Sequence, residues 1–131
     1  MNFALRLGTL ALMVCAVGAI RAAEEPKVPD WVPVFPDVKP QLIENKKDDK
    51  GTSVIWYFAT VKSPADVKAF YKKGFEASGF KEQKEQSIDD KDDGVKQENL
   101  KGDDGKRSWF ISARLEKDAK ETQVSLVYVL K

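Results

Sequence analysis

Asp89-Asp90-Lys91-Asp92-Asp93-Gly94 puts four carboxylates within six residues, the raw material of a calcium loop. A helix–loop–helix calcium site takes oxygen ligands at its first, third, fifth and twelfth positions. Counted from Asp89, the third is Lys91 and the twelfth is Leu100, so the spacing fails. Asp93-Gly94 reads instead as the tip of a tight hairpin. Ser78-Gly79-Phe80-Lys81 has the spacing of a lysine-activated serine nucleophile, which needs both residues on one helical turn. Gly79 breaks that turn and sends Lys81 into the next element. Carboxylate pairs that cleave glycosidic bonds stand about 5–9 Å apart. Most acids here sit beside lysines in turns, where neither burial nor like-charge crowding raises a pKa. The last group is Lys68, Lys72 and Lys73, on the polar side of a helix. They form a candidate face for an anionic lipid headgroup or a cell-wall polymer. They also fit a plain solvated face, with Lys72 and Glu76 an i,i+4 ion pair.

What is missing narrows the chemistry further. The chain has no histidine, and its one cysteine is Cys15. A Ser-His-Asp triad is impossible. Zinc, copper and haem sites lean on Cys and His, so no metal or other cofactor is expected.

The elements that must carry these residues are legible from pattern. Val54–Val61 is apolar on both faces and rich in β-branched and aromatic residues, as a central strand is. Ser63-Pro64-Ala65-Asp66 opens a helix with a cap, a proline at the first turn and an acid at the capping-box position. Val67, Phe70, Tyr71, Gly74 and Phe75 form one helical stripe, and Gly79 ends it with Phe80 folding back. The helix is read over Pro64–Ser78. Gly74 reads as small so that the helix can approach the sheet at Trp56 or Tyr128. Phe80–Ile88 and Val95–Leu100 read as polar strands, Ser108–Leu115 and Thr122–Leu130 as half-buried ones. The aromatics Trp56, Phe70, Tyr71, Phe75 and Trp109 belong to the core. One strand, one helix and four further strands predict an α+β domain: a twisted antiparallel sheet of about five strands with a helix on one face.

Two segments precede that domain. Met1–Ala23 has a basic start, an apolar run from Leu7 to Ile20 and small residues before Glu24-Glu25, the pattern of a cleaved signal peptide. The fourteen-residue run is short of the roughly 20 residues that span a bilayer. Lipid attachment at Cys15 would tether the chain, but Val14 stands where that chemistry takes a small residue. An uncleaved leader is the other route to a membrane. Residues 24–51 then read as a proline-rich extended arm with docked aromatics, followed by a polar loop from Asn45 to Gly51. Residues 52–131 form the domain. Without the leader the chain has 108 residues, 20 basic and 21 acidic, a balance unlike that of nucleic-acid proteins.

Trp31-Val32-Pro33-Val34-Phe35-Pro36, then Phe58-Ala59-Thr60, Ser63-Pro64, Val67, Phe70-Tyr71 and Gly79-Phe80, resembles a group of small exported bacterial proteins. Their pattern runs W-V-P-x-Y-P-G, then F-x-T-x-D-S-P-x-x-V-x-x-F-Y and a closing G-F or G-W. The likeness covers about a third of the mature chain. It departs at Asp37, where the group has Gly, and at Lys62, where it has Asp. The resemblance implies an exported α+β domain and brings no catalytic residue with it.

Together these readings predict a monomeric periplasmic or secreted domain. It is expected to be non-catalytic, binding or scaffolding an unidentified envelope component. A carrier of a small apolar ligand between sheet and helix is the alternative, and a carboxylate hydrolase ranks behind both.

Overall fold

The computed structural model describes residues 27–130; the leader reading of Met1–Ala23 lies outside them. Six strands, β1 (Gln41–Asp48), β2 (Gly51–Thr60), β3 (Lys84–Asp90), β4 (Val95–Asp103), β5 (Arg107–Leu115) and β6 (Thr122–Leu130), form one antiparallel sheet. A helix, α1 (Pro64–Ala77), packs against it over β4 and β5. The order across the sheet is β1-β2-β6-β5-β4-β3. The domain is α+β, with six strands where the sequence predicts about five.

The added strand is β1, which replaces the polar loop expected at Asn45–Gly51. Its eight residues are exposed apart from half-buried Leu42, because an edge strand with water on both sides needs no apolar alternation. A bulge between Leu42 and Glu44 leaves Ile43 60 % exposed. The start of β3 also moves. Phe80, expected to open it, instead closes the helix.

That closure is a complete Schellman motif. Gly79 N–H donates to the Glu76 carbonyl and Phe80 N–H to the Phe75 carbonyl, with Gly79 at φ 106. The Phe80 ring returns edge-on to Phe75, 5.8 Å away. At the other end Ser63 Oγ accepts from Asp66 N–H.

Register sets the core. Trp56, Leu126, Ile111 and Leu100 lie in one row across β2, β6, β5 and β4, and Phe58, Val124 and Ala113 in the next. All seven are buried. Residues 27–40 contain no helix or strand and share this face with α1. Trp31 meets Phe75, Phe80 and Tyr128 with ring centroids 5.8–6.3 Å apart, and Phe35 stacks on Phe58 at 5.3 Å. Gly74 therefore faces a different neighbour from the one expected. A Cβ there would come within 2.5 Å of Pro33 Cγ, not of the sheet.

Candidate functional site

Of the three lysines proposed as an anion-binding face, two are already engaged. The helix projects Lys68 and Lys72 over β3 and β4, whose core-facing positions there are polar. Lys68 Nζ lies 2.8 Å from Glu98 and 3.5 Å from Glu85, and Lys72 Nζ lies 2.7 Å from Glu85. Ser87 Oγ donates to the same Glu98 oxygen. The expected Lys72–Glu76 pair gives way to this one, since Glu85 sits across from the helix. The Lys72 contact chiefly holds the Glu85 carboxyl below its ordinary value. Burial pushes Glu98 up, but bonds from Lys68 and Ser87 outweigh it and the net direction is down. The Lys68 ammonium is correspondingly raised, first by its bond to Glu98. Lys73 is exposed and makes no ion pair among the described residues. One free ammonium is a weak site for a polyanion.

The acidic turns are also occupied by local structure. Asp90 Oδ1 accepts from the backbone N–H groups of Asp92 and Asp93. Asp104 accepts from the backbone of Lys106 and Arg107 and from Arg107 Nε. Its carboxyl is held down to about 2, above all by the Arg107 N–H. Arg107 in turn lies over the Phe80 and Trp31 rings. Among the described residues no cluster of three His, Cys, Asp or Glu side chains converges to hold a metal ion.

The concave feature that stands out lies between the segment 27–40 and the sheet. It is a cleft of about 290 Å³, lined by apolar side chains that include Val32, Phe35, Trp56, Phe58 and Leu126, with Tyr71 at its helix side. The size is near the lower end for small-molecule sites, about 300–1,000 Å³. Val34 stands at its rim, 72 % exposed. Its polar groups are few. Trp56 Nε1 donates to the Tyr128 hydroxyl at 3.0 Å. Burial pushes the Tyr71 phenol well above its ordinary value, so it remains a neutral hydroxyl. Sequence reading assigned these aromatics to the core, and most of each ring is there. The cleft arises because the proline-spaced segment covers the core face without filling it.

The opposite sheet face carries Ile55, Val127 and Phe110 in one row across β2, β6 and β5. Phe110 is 38 % exposed, and the polar side chains of Ser112, Asn99, Gln97 and Gln86 are hydrogen-bonded to one another beside it. No family model, curated protein or solved structure matches the chain.

Proposed function

We propose that the chain is an exported, non-catalytic binding domain that holds a small apolar ligand in the cleft between residues 27–40 and the sheet. The observation that carries this reading is the cleft itself: about 290 Å³ with an almost wholly apolar lining at the rim of the aromatic core. The leader pattern at Met1–Ala23 supports export to the periplasm or beyond. The absence of histidine and of any thiol outside Cys15 supports binding without catalysis. An apolar ligand would recover the hydrophobic free energy of the rim residues that stay in contact with water.

The test is direct. Trp56 lines the cleft, so a brominated fatty acid bound there quenches its fluorescence saturably. Val32→Trp narrows the cleft and should weaken that quenching by about tenfold or more, a loss near 1.4 kcal/mol of binding. Unsaturable quenching, equal in the two proteins, would reject the reading.

A further inference from the structure

Side chains alternate across a strand, so the positions between the buried core residues point to the other face of the sheet. The register aligns six of them, one per strand, into a single row: Glu44, Ile55, Val127, Phe110, Lys101 and Lys84. The middle of the row is apolar, with Phe110 38 % exposed and Ile55 and Val127 half-buried. The helix and the segment 27–40 lie against the core face, and among the described residues no helix or strand covers this one.

Charge is unevenly divided along the row. Glu44 stands at the β1 end, whereas Lys84 and Lys101 are direct cross-strand partners at the β3 end. Two lysines side by side disfavour their own pairing. The next row carries the opposite signs: Lys46 on β1 and Asp103 on β4, with Val129 between them. None of these five charged residues makes an ion pair among the described residues. Within one sheet Glu44 and Lys84 stand five strand spacings apart, roughly 24 Å, so they cannot meet.

They meet in a pair of molecules. A two-fold axis parallel to the strands, between β5 and β6, lays this face on a second copy of itself with rows in step and strand order reversed. Glu44 of one copy then lies opposite Lys84 of the other, and Val127 lies opposite Phe110 at the centre. Asp103 lies opposite Ser53, one strand spacing of about 4.8 Å from Lys46. Each contact occurs twice, as an isologous interface requires. Sheets stacked in this way, about 10 Å apart with strands nearly aligned, make a β-sandwich.

We propose that this face joins two copies of the chain into a two-fold dimer, with Phe110 and Val127 at its centre and a Glu44–Lys84 contact at each end. The face measures roughly 24 Å by 20 Å. That is near the small end of specific interfaces, about 1,200 Å² in total, so the pair forms reversibly. The sequence predicts a monomer because local spacing does not reveal strand order, and the two-fold pattern exists only in that order. The apolar cleft is on the other face and stays open in the dimer.

Sedimentation equilibrium of the mature protein reads the association, from roughly 1 micromolar to 1 millimolar, where a weak pair forms and dissociates. Over that range the mass should rise from that of one chain to that of two. Glu44→Lys and Lys84→Glu change exposed side chains and should leave the melting temperature nearly unchanged. Each alone puts like charges opposite one another at both ends and should weaken association about tenfold or more. Mixed in equal amounts, the two variants should pair with each other as the parent does, because lysine then faces glutamate at both ends. Phe110→Asp should abolish the dimer. A parent protein that stays monomeric at about 1 millimolar, single variants that associate as the parent does, or a mixture no tighter than either variant alone would each overturn the proposal.

Discussion

At the scale of residues, Gly74 inside the helix and Gly79 just past its end do different work. Gly79 sits at φ 106 with no atom nearer than 3.9 Å to a Cβ built on it, so Gly79→Ala meets backbone strain alone. The expected cost is about 1–2 kcal/mol in a denaturant melt, with Gly79→Asn recovering part of it. Gly74 has ordinary helical dihedrals, so alanine there gains up to about 1 kcal/mol of helix propensity. The Pro33 ring, 2.5 Å from the new methyl, turns that gain into a net loss of about 1–2 kcal/mol. Gly74→Ala combined with Pro33→Ala should restore most of it, which a double-mutant cycle measures. Asp37 adds a third case. It lies at φ 60, a region that tolerates Asp but strains most other residues, so Asp37→Val should cost about 1–2 kcal/mol where Asp37→Gly costs little. The stripe and the terminator were readable in the sequence. That Pro33 is the neighbour of Gly74 was not, because the contact spans 41 positions and depends on how the segment 27–40 crosses the helix.

At the scale of elements, the helix was the most legible part because independent signals agree: a Ser63 cap, an apolar stripe and Gly79. β1 was hidden because polarity serves an edge strand as well as it serves a loop. The partners of the helix lysines were hidden for a related reason. Local spacing pairs Lys72 with Glu76, whereas β3 brings Glu85 to it from outside the helix. The Lys68–Glu98–Glu85 group predicts a pH profile. Both carboxyls are lowered in the fold, so their contribution is complete above the ordinary value of 4.5 and fades as pH falls through the lower folded values. Lys68 is raised, so its share is complete below 10.5 and is lost as pH climbs past its folded value. Lys68→Met should cost about 0.5–1 kcal/mol at neutral pH, since both side chains of the main pair keep only 18–19 % exposure. It should also flatten the acid limb of the melting-temperature curve; an equally steep limb would mean that other carboxylates govern it. The unpartnered indole N–H of Trp109 was not legible either, because the residue reads as core and only its tertiary surroundings decide whether the donor finds an acceptor.

At the scale of the whole molecule, the sheet is closed by its last strand. β6 lies between β2 and β5 and pairs with both. Without it the sheet is two fragments, the β1–β2 hairpin and the β3–β4–β5 meander, each presenting an unpaired inner edge. Trp31 waits on the same strand, since one of its three ring partners is Tyr128. A protein ending at Lys120 should therefore show no cooperative melting transition by circular dichroism; a two-state melt of that fragment would show that the remaining strands fold without the closing one. The arrangement also dictates an order in time. However early β2 emerges during synthesis, its inner edge has no partner until β6 follows, some sixty residues later. Such non-local pairing folds slowly. Were the chain exported as proposed, that delay would serve it: a translocation channel would meet a thread, and the thread would become a whole sheet only once its final strand was through.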